Sequence, residues 1–541
     1  MKILKSLLII LFFYLFTGCE LLDILMSLEL VDEEPYNSSS LSVISKDKLS
    51  KSSYNSFTEE EITLQEKKAA DNADLFLVKY NNSSTDIFGS ETGYVVNSVN
   101  RSIKTEDEVS VELPISIPKY NRIDFNYSKD FLNDIETKSR SIEINESNYY
   151  GNKNYTVGDT ESFYIIPKLS VEKYSYVPVS AELKYESQYS YIWYVKDKNY
   201  TTSSSLVQFT PSDFVNLGKK FDEIYPVETS VFGTLEYNAT ANVIPVGNKV
   251  SILIFDINSD ATRGQTSGTF GYFYAYDLYK DTYSNEKHIF YIDDYFTKNA
   301  TEYIYSTLAH EFQHMLNHIN KKIKYTNNNS LEIETWYSEM LSLISEEMLQ
   351  ETCGLNDDQS PKSRLDIFNL FYNKGFTNWR SGNEVYISYA NAYAFGAFLT
   401  RNFGGSTLIK EIANNKYLNE ESITNALIKL GYNEDFNSVC RKFAQVVIFT
   451  QNCTNNRFYS LNKKIEETNF TFYPIDLMKY KNIISNQDFY GPIIFSPYKD
   501  DGLATVGGNS FSVHYVGENV TSATYSLPIS KDITMYTFAC K

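Results

Sequence analysis

Apolar and polar residues alternate in short stretches between residues 101 and 248. The pattern is seen in VSVELPISI at 109–117, SFYIIP at 162–167 and SYIWYV at 190–195, with Asn, Gly, Asp and Pro residues between the stretches. Alternation with a period of two sends successive side chains to opposite faces of a strand. The sequence therefore predicts a β-rich N-terminal domain over 101–248.

The pattern changes in the second half of the chain. Three more strands are predicted in KVSILIFDI at 249–257, FGYFYAYDL at 270–278 and KHIFYIDDYF at 287–296. From about 300 to 450 apolar residues recur with the helical period, and alternation returns in SFSVHYVG at 510–517 and DITMYTFAC at 532–540. We expect a multidomain α+β protein with a mixed domain over 249–455 and a small C-terminal β domain over 456–541.

Residues 1–19 have the layout of an export signal. Lys2 and Lys5 precede an uncharged run, SLLIILFFYLF, that is too short to cross a bilayer, and TGC follows, ending at Cys19. This stretch resembles a bacterial lipoprotein signal, although Phe16 stands where the cleavage box usually carries Leu. The resemblance implies an extracytoplasmic protein anchored to the cell membrane or outer membrane by a lipid on Cys19. An ordinary signal sequence, and so a secreted protein, is the alternative.

Residues 20–100 are rich in Ser, Lys and Glu and show no sustained hydrophobic period, which predicts a low-complexity tether. The whole chain of 541 residues is long enough for several domains, and its 42% hydrophobic content can fill their cores. Its formal net charge is −19, from 49 Lys and Arg against 68 Asp and Glu. That charge repels phosphate backbones, so we exclude nucleic acid as a partner.

Four cysteines follow Cys19, at positions 353, 440, 453 and 540. An oxidising compartment could pair them in three ways, and the sequence does not choose among these. A single helix over 436–453 would hold Cys440 and Cys453 about 20 Å apart and so exclude that pair.

AHEFQHMLNH, at 309–318, contains three of the chain's five histidines. His310 and His314, spaced i and i+4, fall on one face of a helix, where both imidazoles can reach a single ion at about 2.1 Å. Glu311 lies beside them, placed to take a proton from the attacking water without being a ligand. The other face carries the apolar stripe of a core-facing helix, formed by Ile304, Leu308, Phe312, Met315 and Ile319. This arrangement predicts a catalytic zinc site rather than a solvated helix face.

The same helix is expected to begin near Asn299, with Glu302 completing an N-terminal cap. His318 would lie about 12 Å from His310, and we expect a surface histidine there rather than a ligand. MLNHIN at 315–320 also lacks the glycine break and third histidine of the metzincin pattern. A third ligand must therefore come from another part of the chain.

Acidic candidates for that ligand lie in SLEIETWYSEMLSLISEEM at 330–348. Glu339 lies on the border of the buried face of a second helix and can point into a cleft. Glu332 and Glu334 fall in the first turn, where acidic residues complement the helix dipole. Glu346 and Glu347 come two turns later and are expected to be solvated.

LAHEFQHMLN at 308–317 followed by ETWYSEMLS at 334–342 resembles the hyicolysin-like bacterial zinc metalloproteases, and more loosely the aminopeptidase N and thermolysin group. The resemblance spans about 225–405. It implies a zincin-like catalytic domain over 249–455, with Zn²⁺ held by His310, His314 and Glu339.

Three positions depart from the pattern of these families. Ser338 and Met340 replace the Asn and Gly that commonly flank the glutamate ligand. Leu343 stands where thermolysin-like enzymes place an Asp behind a ligating histidine, so the sequence does not identify that orienting partner.

Downstream, YISYANAYAFGAFLTRNFGG at 386–405 resembles the helix from which related enzymes supply a tyrosine to the oxyanion. Tyr389 and Tyr393, spaced i and i+4, share a face of this helix. Either could instead be an ordinary core or surface tyrosine in a chain with 45 of them.

DINSD at 256–260 has the alternate spacing of a calcium loop in Asp256, Asn258 and Asp260. The glycine that such a loop needs at its sixth position is replaced by Ala261. We therefore expect a solvated Asx turn rather than a calcium site.

These observations predict an exported, lipid-anchored zinc endopeptidase acting on protein or peptide substrates. An endopeptidase is favoured because the Gly-x-Met-Glu-Asn stretch with which related aminopeptidases hold a free N-terminus is missing upstream, and the strand at 287–296 could pair with an extended substrate. Two other hypotheses stay open: a non-catalytic cell-surface binding or adhesion protein on a metalloprotease-like scaffold, and a structural zinc site. A structural site would leave Glu311 without a role.

Overall fold

Strands lie at both ends of the chain, on either side of a long helical region, in the computed structural model of this protein. The structure describes residues 40–44, 54–57, 61–65, 74–99, 121–122, 153–169, 175–196, 199–201, 207–240, 242–325, 332–450, 459–484, 487–499, 504–518, 520 and 522–540. The strands are β1 (Ser40–Ile44), β2 (Tyr54–Phe57), β3 (Glu61–Gln65), β4 (Asp74–Asn81), β5 (Tyr94–Val99), β6 (Asn121–Arg122), β7 (Thr160–Ile165), β8 (Val177–Glu186), β9 (Ser190–Tyr194), β10 (Val250–Phe255), β11 (Ser267–Gly268), β12 (Gly271–Phe273), β13 (Ile289–Asp293), β14 (Ile465–Glu466), β15 (Thr471–Phe472), β16 (Lys481–Ile484), β17 (Gln487–Tyr490), β18 (Phe511–Glu518), β19 (Ser522–Ser526) and β20 (Ile533–Cys540). The α-helices are α1 (Pro211–Phe232), α2 (Asp294–Asn299), α3 (Thr301–His318), α4 (Thr335–Met348), α5 (Gln350–Cys353), α6 (Leu365–Phe371), α7 (Val385–Asn402), α8 (Gly405–Asn414), α9 (Glu420–Lys429), α10 (Phe436–Phe443) and α11 (Gln445–Ile448). The mixture of helices and sheets predicted from the sequence is confirmed.

A six-stranded sheet supports the helices that follow it. Its strand order is β12-β13-β10-β9-β8-β7, with β9, β10 and β13 parallel and β12 antiparallel at one edge. Every side chain of β10 is buried, because both faces of the sheet are covered. Ile252 and Ile254 face the core shared with the helices, whereas Leu253 and Phe255 face a second core that includes Trp193. The sheet therefore gives α1 and α3 a fixed surface to pack on.

The region 101–248, predicted to be a β-rich domain, contains the long helix α1. Thr210 N donates to Asp213 Oδ2 at 2.6 Å, and this capping box starts the helix with Pro211 in its first turn. β7, β8 and β9 belong to the same sheet as β10 and β13, so position 248 does not separate two folded units. VSVELPISI at 109–117 lies outside the described residues.

Strands from the two ends of the chain pair with each other. β4, from the segment 20–100 predicted as a tether, lies between β18 and β20. Leu75 and Leu77 of β4 are buried in a core that also contains Val516 and Met535. β19 similarly pairs with β3 and β5. Residues 74–99 thus belong to the folded body, and N-terminal strands complete the β region predicted at 456–541.

All three stretches predicted as strands before the helical region contain a strand, but each strand is shorter than predicted. KVSILIFDI contains β10 and KHIFYIDDYF contains β13. FGYFYAYDL forms a strand only at Gly271–Phe273 and then a 3-10 turn at Ala275–Leu278. The side chain of Asp277 accepts from Asn285 N at 2.7 Å, and this hydrogen bond stabilises the turn against further strand.

The apolar stripe predicted for the 301–318 helix is buried as expected. Ile304, Leu308, Phe312, Met315 and Ile319 are all inaccessible to solvent, and the Phe312 ring packs against α1. The predicted cap is wrong, because α3 is preceded by Ala300 and the Asn299 amide donates to Tyr295 O instead. The short helix α2 lies between β13 and α3. α4 covers the other side of α3, so this helix is buried on both faces.

Cys353 and Cys440 are buried free thiols. A single helix over 436–453, considered as a possibility from the sequence, does not form. α10 ends at Phe443 and α11 ends at Ile448. Cys453 lies outside the described residues. Within the described parts of the chain, no helix is both long and apolar enough to cross a membrane.

Candidate metal centre

Two packed helices bring three ligand-type side chains to one point. His310 and His314 project from α3, and Glu339 projects from α4. The Nε2 atoms of His310 and His314 are 3.0 Å apart. Glu339 Oε2 lies 3.3 Å from His310 Nε2, and Glu339 Oε1 lies 3.7 Å from His314 Nε2. The structure thus brings together the three residues that the sequence suggests as ligands.

This arrangement fits a tetrahedral zinc ion. Ligand atoms held about 2.0–2.1 Å from such an ion lie roughly 3.3 Å from one another, close to the observed separations. Two imidazole nitrogens and one carboxylate oxygen leave a fourth position open, as in catalytic zinc sites. The side chain of His314 is 15% exposed, whereas those of His310 and Glu339 are 0% and 3% exposed. The centre therefore opens to solvent past His314.

His310 is held from behind by Glu346. The Nδ1 atom of His310 lies 2.8 Å from Glu346 Oε1, and Ser306 Oγ donates to Glu346 Oε2 at 2.6 Å. A carboxylate at Nδ1 keeps a proton on that nitrogen and leaves Nε2 available to a metal. Glu346 is buried, so the expectation that it is solvated is wrong. It provides the orienting partner that the sequence did not identify at Leu343.

The sequence does contain a signal for Glu346. It follows Glu339 by seven residues, which is two turns of an α-helix, so both carboxylates point to the same neighbour. This signal is hard to recognise because α4 is buried on several faces, so its apolar residues do not form one stripe. Without such a stripe, the sequence does not indicate which acidic residues are buried.

The Nδ1 atom of His314 lies against two hydroxyl groups. Its Nδ1 atom lies 3.0 Å from Ser338 Oγ and 3.1 Å from Ser342 Oγ. The Asn317 amide donates to Ser338 Oγ at 3.2 Å. Ser338, which replaces the Asn of related enzymes, therefore contacts a ligand-type histidine directly.

Glu311 lies close to the edge strand of the sheet. Its side chain is almost entirely buried. A Cβ atom added to Gly271 of β12 would lie 3.4 Å from Glu311 Cγ and 2.7 Å from Thr307 Cγ2, so the strand backbone runs against α3 at this point. A larger residue at Gly271 would push the strand away from Glu311.

The position of β12 also corrects an expectation about substrate pairing. β13, in the stretch 287–296 predicted to pair with a substrate, is bonded to β10 on one side and to β12 on the other. β12 is the terminal strand of the described sheet. An extended peptide could therefore reach this sheet only along β12 at this edge.

A further carboxyl group is buried near the centre. Glu228 of α1 is inaccessible to solvent, and its Oε1 accepts from Ser345 Oγ at 2.6 Å. Burial raises the pKa of Glu228 well above its usual range, and the nearby Glu346 adds to this effect while His310 opposes it. The neutral form of Glu228 is therefore favoured.

His318 is buried rather than on the surface as expected. Its Nε2 atom lies 2.9 Å from the Tyr279 hydroxyl, and burial lowers the pKa of His318 to about 3. The group of side chains that converge at the metal centre does not include it. His318 is thus a core histidine with a tyrosine partner.

The two tyrosines suggested for the oxyanion are both buried in α7. Tyr393 lies near the ion pair of Glu347 and Arg401, whose Oε1 and Nη2 atoms are 2.5 Å apart, and burial raises the pKa of Tyr393 well above its usual range. Glu347 is therefore buried, not solvated as expected. Tyr389 packs edge-on against Trp379 with ring centroids 4.9 Å apart. The oxyanion role stays a prediction for both tyrosines.

DINSD, expected to form a solvated turn, is buried at its first residue. Asp256 groups with Asp293 and Asp294, whose carboxylate oxygens all lie within 4.8 Å of one another. Burial and the neighbouring Asp294 raise the pKa of Asp293 well above its usual range. Ile257–Ser259 forms a short 3-10 turn in which Asn258 has a left-handed conformation with φ of 61°. The side chain of Asn258 accepts from Leu169 N at 2.8 Å, and Asp256 is buried rather than solvated.

Two histidines and a glutamate around one point are a ligand set used by zinc enzymes, and comparison with known families shows where this chain belongs. A model of the peptidase M30 family matches residues 190–481, more than half of the chain, so the chain belongs to that family. The matched range includes β10, β12, β13, α3 and α4. The resemblance to hyicolysin-like metalloproteases seen in the sequence is thereby confirmed.

Individual proteins resemble parts of the chain. This chain is 30% identical over 264 residues to the neutral metalloprotease ShpI of Staphylococcus hyicus. The alignment covers 46% of this chain and 54% of ShpI. The chain therefore spans about half the length of this curated relative. The chain was also compared with the crystal structure of an M1 zinc metallopeptidase variant from Deinococcus radiodurans. The superposition covers 50% of this chain and 49% of the metallopeptidase chain, with 9% sequence identity and a TM-score of 0.27. That likeness is too weak to bear on the fold.

Proposed function

We propose that this protein is a zinc-dependent endopeptidase that hydrolyses peptide bonds in protein or peptide substrates. The observation that carries the proposal is the convergence of His310, His314 and Glu339 next to the buried Glu311. Membership of the peptidase M30 family and similarity to a neutral metalloprotease support it.

Each of the three ligands would contribute one atom to the ion. His310 and His314 would bind through Nε2, and Glu339 through a carboxylate oxygen. When bound, Zn²⁺ supplies a Lewis acid that polarises the scissile carbonyl and acidifies the attacking water. Glu346 holds His310 and Ser338 holds His314 in orientation through their Nδ1 atoms.

Glu311 would carry the proton between the two halves of the reaction. A carboxylate oxygen of Glu311 accepts a proton from the water as its oxygen attacks the carbonyl carbon. The same oxygen then donates that proton to the nitrogen of the leaving amine as the C–N bond breaks. One water is consumed, and Glu311 ends the cycle ionised, as it began.

A tyrosine hydroxyl would add a hydrogen bond to the oxyanion. Tyr389 and Tyr393 are our candidates. The Glu347–Arg401 ion pair beside Tyr393 favours Tyr389, because Tyr393 already has charged neighbours that compete for its hydroxyl.

In this proposal the substrate binds along β12, and this mode of binding suits an endopeptidase rather than an exopeptidase. Main-chain hydrogen bonds to an edge strand hold a peptide in extended form without using its termini. Gly271 of β12 lies against α3 near Glu311, so a peptide on this edge would pass the proton-transfer group. A long substrate could therefore bind with its scissile bond near the metal.

We also propose that the protein is exported and lipid-anchored through Cys19, as the N-terminal sequence suggests. Cys19 lies outside the described residues. The membrane would then be a partner of the chain, and its substrates would be extracytoplasmic.

A proteolysis assay with purified protein tests the enzymatic proposal. We expect cleavage of casein, and of a peptide blocked at both termini, with loss of activity on adding a zinc chelator and recovery on adding back Zn²⁺. Protein that binds zinc but cleaves neither substrate would instead support a binding or adhesion protein. Cleavage that the chelator does not affect would exclude the metal mechanism.

A further inference from the structure

We propose that Gln313 determines which nitrogen of His314 carries the proton, acting through the hydroxyl of Ser342. This inference rests on the proposed zinc site. It concerns a residue between the two histidines of the motif that is neither a ligand nor a proton-transfer group. Gln313 is therefore a positioning residue.

The geometry places three side chains in a short hydrogen-bonded chain. Ser342 Oγ donates to Gln313 Oε1 at 2.5 Å and lies 3.1 Å from His314 Nδ1. Gln313 and Ser342 are both inaccessible to solvent. Water therefore cannot replace either partner without a change in packing.

The donors and acceptors in this series of hydrogen bonds follow from counting the available protons. The Oε1 atom of Gln313 can only accept, so the single proton of the Ser342 hydroxyl points to it. Ser342 Oγ then has only lone pairs for His314, and Nδ1 must supply the hydrogen. With Nδ1 protonated, Nε2 keeps its lone pair and faces His310 and Glu339.

The opposite polarity would disable the ligand. If the Gln313 amide were turned over, its Nε2 group would donate to Ser342, and the hydroxyl proton would be free to point at His314 Nδ1. His314 would then carry its proton on Nε2, where it blocks metal binding. The observed orientation of Gln313 is the one that a metal ligand needs.

Ser338 alone does not determine which nitrogen of His314 carries the proton. It accepts from the Asn317 amide at 3.2 Å, and its own proton remains available, so it can accept from or donate to His314 Nδ1. His310 differs, because the acceptor-only carboxylate of Glu346 lies at its Nδ1. At His314 the amide oxygen of Gln313 has the corresponding role, because it accepts the proton of the Ser342 hydroxyl that lies against Nδ1.

The test compares two substitutions at Gln313 that differ in polarity. Gln313→Met removes the acceptor and keeps the length of the side chain, whereas Gln313→Glu offers only acceptor oxygens when ionised. We expect zinc affinity, measured by competition with a chromophoric chelator, to fall about 10–100-fold in Gln313→Met and in Ser342→Ala. Gln313→Glu should bind zinc at least as tightly as the wild type. Ser512→Ala removes the hydroxyl of another buried serine–histidine pair, with His514 in β18, and as the matched control it should keep wild-type affinity.

A second readout reports the proton itself. ¹⁵N spectra of ring-labelled histidine in the zinc-free protein, recorded at alkaline pH and assigned with a His314→Gln variant, distinguish Nδ1–H from Nε2–H. The wild type and Gln313→Glu should show Nδ1–H, and Gln313→Met should show a mixture. Equal weakening of zinc binding by Met and Glu, or an unchanged tautomer in Gln313→Met, would overturn the inference. A wild type that binds no zinc would instead remove the proposed function.

Discussion

Glu346 Oε1 lies 2.8 Å from His310 Nδ1, while the opposite nitrogen of the ring faces Glu339 at 3.3 Å. One helix, α4, therefore contributes both a ligand-type carboxylate and the carboxylate that orients a histidine of α3. Since both contacts come from α4, a shift of this helix would move both sides of the His310 ring. The packing of α4 on α3 thus sets the geometry of the centre.

We expect Glu346→Ala to weaken zinc binding about 10–100-fold, because the imidazole loses the partner that fixes its proton and orientation. Glu346→Gln should lose less, since an amide oxygen can still accept from Nδ1. Zinc titration of the purified variants measures both effects. Glu332→Ala, at an exposed position before the same helix, serves as the control and should bind zinc normally. Equal affinity in all three proteins would contradict the role given to Glu346.

The parts of the centre that depend on local spacing could be predicted from the sequence. His310, Glu311 and His314 lie within five residues, so the geometry of one helix fixes their relation. Glu339 could be suggested from a second amphipathic helix and from family resemblance. The spacing of Glu346 two turns after Glu339 places both on one face, but the burial of Glu346 depends on how α4 packs on α3, which hydrophobic periodicity does not show.

Pairing over long distances limits what the sequence tells about the fold. The sequence around β4 predicts a tether because it is rich in Ser and Lys, yet β4 pairs with β18 and β20, more than 400 residues later in the chain. A strand is predicted over 270–278, but the sequence does not show that β12 has only three residues or that it forms the edge of the sheet near Glu311. Thr210, Pro211 and Asp213 form a helix-start pattern at the N-terminus of α1. The strand patterns on either side of it make this signal hard to recognise in the sequence.

The third ligand can be tested by a pair of alanine substitutions. Glu339→Ala should strip zinc from the purified protein, because its carboxylate lies within 4 Å of both histidine Nε2 atoms. Glu334→Ala should retain about one ion per chain. Glu334 precedes α4 and its carboxylate accepts from the Trp336 indole, so it is occupied elsewhere. Metal analysis giving the reverse result would move the ligand to Glu334.

Lys79 makes stability depend on pH. It is buried in β4 with Nζ donating to Thr92 Oγ1 at 3.1 Å, and burial lowers the pKa of Lys79 to about 7 from an ordinary 10.5. Between these values the unfolded chain binds more protons than the folded one, so the free energy of unfolding rises with pH across this window. From pH 7 to pH 9 the gain from this residue is about 2 kcal/mol.

We therefore expect Lys79→Met to be less pH-dependent than the wild type by that amount when urea unfolding is followed at pH 7 and pH 9. Lys429→Met, which replaces a lysine whose side chain is 64% exposed, should follow the wild type at both values. A change in stability between pH 7 and pH 9 that is as large in Lys79→Met as in the wild type would contradict the lowered pKa of Lys79.

The lipid anchor is testable without structural information on the N-terminus. If Cys19 is acylated, Cys19→Ala should lose radiolabelled fatty acid and membrane association while the protein is still exported. Fractionation of cells and labelling with palmitate measure both properties. Equal labelling of the variant and the wild type would exclude the lipoprotein hypothesis.

Glu311→Gln separates the proton-transfer role from metal binding. The amide keeps the shape of the side chain but removes the basic oxygen. We expect zinc content and folding to persist while the rate of proteolysis falls by about 10²–10⁴, the usual loss on removing a general base. Zinc analysis, circular dichroism and the casein assay measure the three properties on one preparation.

His310→Ala should behave differently, losing metal and activity together, because it removes a ligand that lies fully buried between Glu346 and Glu339. A structural zinc site cannot produce this contrast, since there Glu311 would have no part in any reaction. Glu311→Gln protein that keeps zinc and cleaves at the wild-type rate would refute the proton-transfer role of Glu311. Wild-type protein that binds zinc but stays inactive would direct attention to a binding role, or to a latent form that requires removal of its N-terminal region before β12 can accept a substrate.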